Sequence, residues 1–496
     1  MNWKFSHESI SKLAADAMIL FYTEDCVTLS EDLREVDYML EGHISRLMID
    51  GEITGKFGEV TILRDWNKKP MTRVFITGLG KKEKVDLFKL KDAVAIAARK
   101  AKKIGLKQLS ISSPSYMIQH FNPVDIIQSL VEGIELGTYQ HHTYQEHKQD
   151  SEPNIILSCK GFPEKAVEIG VERGIIFSQA TNLARFLTNE PANRLNPESF
   201  TQYAQKIAEK SGLSIEILEE DQLISKKMQA LLSVSAGSKY GAKMVVLSYN
   251  GAPDCTDVIG LVGKGVTYDS GGLQIKKDAH VLSEMKVDMA GGAAVLGAME
   301  AIGAIKPHTN VIAVIPLCEN MIDSNAYRPG DVISTYSGKT IEITHTDAEG
   351  RLVLADALTY IKQLGATKLV DVATLTGTVY STFGHEVSAM MTNNQDWSSE
   401  VLYASKITGE RIWELPLYEE YEELMQSEIA DLKNFGGWGA VSIQGGIFLK
   451  HFVGETPWVH LDITGTILRP EEKGVYEKGA TGAIVRTLIQ LAMRTY

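Results

Sequence analysis

A chain of 496 residues is too long for one ordinary hydrophobic core, so two domains are expected. Its 44% hydrophobic and 23% charged content is that of a soluble globular protein and excludes a disordered chain. With 50 basic against 63 acidic residues the net charge is −13, which disfavours nucleic acid and anionic membrane as partners. The four cysteines (Cys26, Cys159, Cys255, Cys318) show no paired or zinc-type spacing and read as free thiols of a reducing compartment. No stretch has the apolar pattern of a signal peptide, and none reads as a bilayer span. The expectation is a soluble, cytoplasmic protein with no membrane partner.

Along the first third, short apolar runs alternate with helical patterns. Ala17-Met18-Ile19-Leu20-Phe21-Tyr22 and Arg73-Val74-Phe75-Ile76-Thr77-Gly78 read as buried strands, and the alanine-rich 91–103 as a helix closed by Gly105. Gln108-Leu109-Ser110-Ile111 reads as a further strand, and Pro123 opens a helix running to Gly137. The polar stretch 139–153 holds His141, His142 and His147, read as a solvated surface loop in preference to a metal tract. Ile155-Ile156-Leu157 closes a first α/β domain spanning 1–162, and a long helical pattern over 164–187 bridges to a second, 163–496.

In the second domain the strand candidates are Met244-Val245-Val246-Leu247-Ser248-Tyr249, Val258-Ile259-Gly260-Leu261-Val262, Val311-Ile312-Ala313-Val314-Ile315, Lys368-Leu369-Val370-Asp371-Val372 and Trp458-Val459-His460-Leu461-Asp462-Ile463. Most are continuous apolar runs, which suits strands covered on both faces. Helical patterns lie between them, notably 289–302 and 352–364. The fold class is therefore α/β: a mostly parallel central sheet sandwiched by helices, with a smaller α/β domain before it.

Two charged segments follow strand candidates, where ligands bind in open α/β sheets. The first runs from Lys264 through Asp269 and Gly271-Gly272 to Lys276 and Asp288, read as a glycine-rich turn after Val262. The second holds Asp347, Glu349 and Arg351; if extended, its period of two puts all three on one face. A helix starting at Leu352 would bring a positive dipole end to these acids. Any one of them alone reads as a cap or turn residue. Four carboxylates together need cations, and two divalent metals are the commonest answer. On spacing alone Lys264 is an ion-pair partner of Asp269 or Asp288, since an amine must lose its proton before it can ligate. Lys276 reads equally as a surface lysine or as an ammonium that polarises a substrate carbonyl.

The segments Val262-Gly263-Lys264-Gly265-Val266-Thr267-Tyr268-Asp269-Ser270-Gly271-Gly272 and Thr346-Asp347-Ala348-Glu349-Gly350-Arg351-Leu352 resemble the leucyl aminopeptidase family, peptidase family M17. So do Glu319-Asn320-Met321, Asn325-Ala326-Tyr327-Arg328-Pro329-Gly330-Asp331, Ala373-Thr374-Leu375-Thr376-Gly377, Trp458 to Ile463, and Lys478-Gly479-Ala480-Thr481-Gly482. The likeness starts near Asn189; the first domain resembles the family only in layout. It implies a two-metal aminopeptidase that removes a leucine-like N-terminal residue from peptides, assembled as a homohexamer. The implied tight site is Lys264, Asp269, Asp288 and Glu349; the looser one is Asp269, Asp347 and Glu349, with zinc or manganese as the metals. Lys276 would be the electrophile, and Arg351 would hold a bicarbonate acting as general base toward metal-activated water. Met285 and Thr374, Leu375, Thr376 and Gly377 would line the pocket for the substrate's first side chain.

The chain departs from the family pattern in places. His345 stands where Asn is usual, one extra residue falls within 277–284, Gln274 replaces Ser, and Ser442-Ile443-Gln444-Gly445-Gly446 replaces a more alanine-rich segment. His345 is expected beside the ligands, not among them. A two-metal phosphoesterase would suit the carboxylates alone, but a lysine ligand and the absence of a histidine-rich set count against it. A non-catalytic role finds no support while every implied catalytic and metal residue is present, and the acidic balance disfavours a DNA-binding one.

Overall fold

The computed structural model describes residues 1–25, 28–64, 73–141, 144–145 and 152–493. Cys26, His142 and His147 lie outside the described residues. The chain divides into two compact units, one of Met1–Gln179 with Pro470–Lys478 and one of Ala180–Arg469 with Gly479–Tyr496. The division falls within the helix Glu164–Asn189, and a late excursion of nine residues belongs to the first unit.

The first unit is built on a six-stranded sheet in the order Asn2–Ser6, Asn154–Ser158, Gln108–Ser112, Ala17–Tyr22, Arg73–Gly78, Val60–Arg64. Every neighbouring pair is parallel except the last. The helices Leu87–Lys103 and Pro123–Gly137 pack on it. The first is capped by Asp86, whose side chain accepts from Lys89 N–H, and the second by Asn122 ahead of Pro123. Their alanines, leucines and isoleucines bury against Ile19, Phe75, Leu109 and Ile155.

The second unit carries the larger sheet. Its order is Ile412–Glu414, Ser388–Thr392, Trp458–Asp462, Lys368–Ala373, Val258–Gly263, Asn310–Asn320, Lys243–Asn250, Ser214–Leu218, and Gly265–Asp269 also pairs with Asn310–Asn320. The four central strands run parallel, and the outer pairings Ser388–Thr392 with Trp458–Asp462 and Lys243–Asn250 with its two neighbours are antiparallel. These central strands are the continuous apolar runs of the sequence, buried along nearly their whole length.

The helix Ala290–Ile305 lies on this sheet at backbone distance. A Cβ on Gly291 would stand 2.0 Å from the Val372 carbonyl oxygen, so only glycine permits that approach. The stretch Ala279–Ile305 does have the length and hydropathy of a bilayer span, contrary to the sequence reading. With 83% of its apolar window buried inside the protein, it is a core element.

Candidate metal centre

Six acidic and basic side chains, Lys264, Asp269, Lys276, Asp288, Asp347 and Glu349, meet at the carboxyl ends of the central strands. Lys264 directly follows Val258–Gly263 and is fixed at the backbone: its N–H donates to the Val372 carbonyl at 3.0 Å, and its own carbonyl accepts from Gly292 N–H at 2.7 Å. Its side chain is 2% exposed, and its ammonium lies 2.7 Å from Asp288 Oδ1, 2.7 Å from Glu349 Oε1 and 2.8 Å from the Thr374 carbonyl oxygen. Lys264 thus pairs with Asp288 and Glu349. Burial alone would lower its pKa, but the charges of Asp288, Glu349 and Asp269 overcome this and hold it above the usual lysine range.

Residues 265–269 are not the glycine-rich turn expected from the sequence. Gly265–Asp269 is a strand beside Asn310–Asn320, and the turn comes after it, at Gly271 (φ +91°) and Gly272 (φ +63°). Asp269 ends that strand. Its Oδ1 accepts from Gly271 N–H at 2.9 Å and from Asn320 Nδ2 at 2.8 Å, and its Oδ2 lies 2.7 Å from Lys276 Nζ. Lys276 also donates to Asp347, and its side chain is only 15% exposed. That removes the surface-lysine reading.

Asp288 sits in the 3-10 turn Met285–Met289, which Met285 opens. Its Oδ1 accepts from Lys264 and from Thr374 Oγ1, each at 2.7 Å, whereas its Oδ2 is buried with no hydrogen-bond partner among the described residues. Burial holds this carboxyl well above the usual range, and the charges of Glu349 and Asp269 add to it. Burial and then Asp269 likewise raise Asp347 to about 7. Asp288 and Asp347 resist ionisation because the cations facing them do not offset their burial.

The second charged segment is not extended. Residues 345–349 form a loop, Glu349 is the N-cap of the helix Gly350–Gln363, and Arg351 lies in its first turn. Starting two residues earlier than Leu352, the helix presents its N-terminus to the acids, where negative charge is favoured. A Cβ on Gly350 would lie 2.6 Å from Lys264 Cε and 2.7 Å from its Nζ. Glycine there is what leaves the buried amine its place. Arg351 is buried, and its Nη1 donates to the Asn434 carbonyl at 2.8 Å; burial lowers the guanidinium to about 10.

One carboxylate oxygen from each of Asp269, Asp347 and Glu349 lies within 4.8 Å of the others. The loop after Lys368–Ala373 closes one side. Thr374 bonds Asp288, Leu375 N–H donates to Asp462 Oδ1 at 3.3 Å, Thr376 Oγ1 donates to Asp462 Oδ2 at 2.7 Å, and Gly377 starts a helix where an added Cβ would meet no described atom within 4 Å. Met285 is half-buried three residues before Asp288.

Two buried asparagines support the site and were given no role by the sequence reading. Asn320 bonds Asp269 and, at 3.0 Å, the Thr346 carbonyl. Asn434 accepts from Thr344 and His345 N–H groups and donates to the His345 carbonyl, which holds the loop before Asp347. Asn320 stands in a segment that carries the family resemblance, a signal that could have marked it. Asn434, in Lys433-Asn434-Phe435, has none. His345 Nδ1 accepts from Asp347 N–H, and its ring packs 5.0 Å from Phe435 and 5.8 Å from Trp438.

Buried carboxylates that outnumber the cations facing them, at the mouth of a parallel sheet, fit a centre of the divalent-metal class. Comparison with known proteins narrows the class. The cytosol aminopeptidase family's catalytic domain matches residues 182–489 and its N-terminal domain matches 18–148. The probable cytosol aminopeptidase of Alkaliphilus metalliredigens (strain QYMF) is 41% identical over 497 aligned positions, covering 99% of both chains. A tomato leucine aminopeptidase mutant is similar with a TM-score of 0.88 and 31% identity, over 100% of this chain and 97% of that one. The bottromycin maturation enzyme BotP, solved in complex with Mn, is similar with a TM-score of 0.85 and 30% identity, over 97% and 99%. The chain belongs to the cytosol aminopeptidase family, peptidase family M17. It is a metal-dependent aminopeptidase acting on peptides.

Proposed function

We propose that two divalent cations, zinc or manganese, are held by Lys264, Asp269, Asp288 and Glu349 on one side and by Asp269, Asp347 and Glu349 on the other. The observation that carries this reading is the convergence of Asp269, Asp347 and Glu349 oxygens within 4.8 Å. The buried, unpartnered Oδ2 of Asp288 fits it as well. Like charges at that spacing are tolerated only with cations among them, and hard oxygen donors suit divalent metals.

Bound there, the dications supply Lewis acidity, which acidifies water and stabilises negative charge developing on oxygen. Lys264 must give up a proton to ligate, and its three buried carboxylate neighbours hold that proton until their charge is neutralised. With those charges neutralised, Lys276 would no longer be needed by Asp269 and Asp347, and its ammonium would serve as the electrophile for the scissile carbonyl oxygen, strongest where that oxygen becomes negative. Arg351 spends one N–H on Asn434, and the rest of its fork suits a bicarbonate, which would accept the proton of the attacking water. Met285 and 374–377 line the pocket for a leucine-like side chain, and the substrate's free α-amine marks the N-terminal residue. We take 163–496 as the catalytic part, 1–162 as an accessory part, and the working form as a cytoplasmic homohexamer.

The test compares hydrolysis of leucyl p-nitroanilide with its N-acetylated form, with Mn²⁺ or Zn²⁺ present. Acetylation is expected to abolish turnover. Equal rates on the two substrates would sink the reading.

A further inference from the structure

The first unit has its own crevice, far in sequence from the metal centre. A cavity of about 450 Å³ lies at the carboxyl ends of the parallel neighbours Ala17–Tyr22 and Gln108–Ser112. From Ala17–Tyr22 the chain proceeds to Arg73–Gly78 on one side, and the next parallel strand, Gln108–Ser112, is added on the other. The cavity therefore stands where the winding of the sheet reverses, the place where open α/β sheets bind ligands. Its size is that of a small-molecule site.

The lining is divided by charge. On the Gln108–Ser112 side, Asp32 accepts from Ser112 Oγ, and Glu31 lies next to it on the helix Glu31–Met39. The one cation there among the described residues, Lys160, is already engaged, 2.8 Å from Glu31 and 3.1 Å from Glu35. Asp32 is thus left without a direct ion-pair partner among the described residues. Burial holds its carboxyl above the usual range despite the bond from Ser112. On the other side, past the end of Arg73–Gly78, Lys82 reaches the cavity from the run Lys81-Lys82-Glu83-Lys84, its N–H anchored on Asp25 Oδ1 at 2.8 Å. The two flanking strands are two sheet positions apart, which separates the poles by roughly 10 Å. Between them the walls mix Tyr22, Leu29 and Tyr116 with Thr23 and Ser115.

We propose that this cavity binds a small zwitterion of amino-acid to dipeptide length, its amine at Asp32 and its carboxylate at Lys82. Two extended residues span about 7 Å, which with a contact at each end matches the poles. A nucleotide fits less well, because its phosphates would meet Glu31 and Asp32. The inference does not depend on the peptidase reading, since no residue of the metal centre takes part.

The test uses 6-aminohexanoate, a zwitterion of dipeptide length with no peptide bond to cleave, titrated calorimetrically into the metal-loaded full chain. One saturable site per chain is expected. Hexanoate and hexylamine, each lacking one charge, should bind about tenfold more weakly or worse. Asp32→Asn should weaken 6-aminohexanoate by about tenfold, and so should Lys82→Ala at an exposed position where folding is not at risk. Leucyl p-nitroanilide hydrolysis should be unchanged in both. Absence of saturable binding, binding that ignores both substitutions, or preferential binding of AMP would overturn the proposal.

Discussion

Gly350→Ala sets a local preference against the packing of the site. Position 350 opens the helix Gly350–Gln363, where alanine gains about 1 kcal/mol over glycine. The new Cβ, however, would lie 2.6 and 2.7 Å from Lys264 Cε and Nζ, and 3.1 Å from Leu375 Cδ1. An ordinary lysine end would swing aside. This one is 2% exposed and held by Asp288, Glu349 and the Thr374 carbonyl, so moving it breaks charge-assisted hydrogen bonds worth about 1.5–3 kcal/mol each. Overpacking adds about 1–3 kcal/mol. Losing one such bond outweighs the helix gain, for a net destabilisation of about 2–4 kcal/mol. At roughly 2 °C per kcal/mol for a unit of this size, the metal-free melting temperature should fall by about 4–8 °C. Differential scanning calorimetry reads this directly, with Gly377→Ala as the control: its Cβ meets nothing within 4 Å, and it should hold or gain stability. An unchanged or raised melting point for Gly350→Ala, with full turnover, would refute the placement of Lys264.

Lys276→Ala should keep its metal content by mass spectrometry yet lose about a hundredfold or more in turnover; full activity would remove its assigned role. His345→Asn should cost about 0.5–1.5 kcal/mol through its lost ring contacts with Phe435 and Trp438, and leave metal content unaltered. A drop in bound metal would make His345 a ligand after all. Iodoacetamide at pH 8 should label exposed Cys255 and spare Cys159 and Cys318 in the folded protein. Burial pushes the Cys159 thiol up to about 12, leaving roughly one thiolate in ten thousand at that pH. Rapid labelling of Cys159 at peptide level would contradict its placement.

The central strands were legible because burial on both faces leaves continuous apolar runs, as in Val258–Gly263 and Lys368–Ala373. Gly265–Asp269 was hidden: only Val266, Thr267 and Tyr268 favour a strand, the glycine and aspartate at its ends are turn residues by local preference, and pairing with Asn310–Asn320 decides the outcome. The alternation of Asp347, Glu349 and Arg351 suggested a strand, but the helix start at Gly350 puts these residues on a cap and a first turn instead. Asn320 and Asn434 act through partners 26 to 90 positions away in sequence, so no spacing could reveal them. The charged residues of the site were identifiable only as a set, since each alone passes for a cap or surface group. The cavity of the first unit has no motif at all, because its lining comes from strand ends, a helix start and loops far apart in sequence that only the sheet order assembles.

The central claim is that five side chains, Lys264, Asp269, Asp288, Asp347 and Glu349, hold two divalent cations on which turnover depends. Its most direct test is to strip the protein with a chelator and return Mn²⁺ stepwise, following leucyl p-nitroanilide hydrolysis and bound metal together. The account predicts an inactive stripped protein, recovery that saturates at two ions per chain, and loss of the shared sites in Glu349→Gln. Full turnover with chelator present and no bound metal would contradict it.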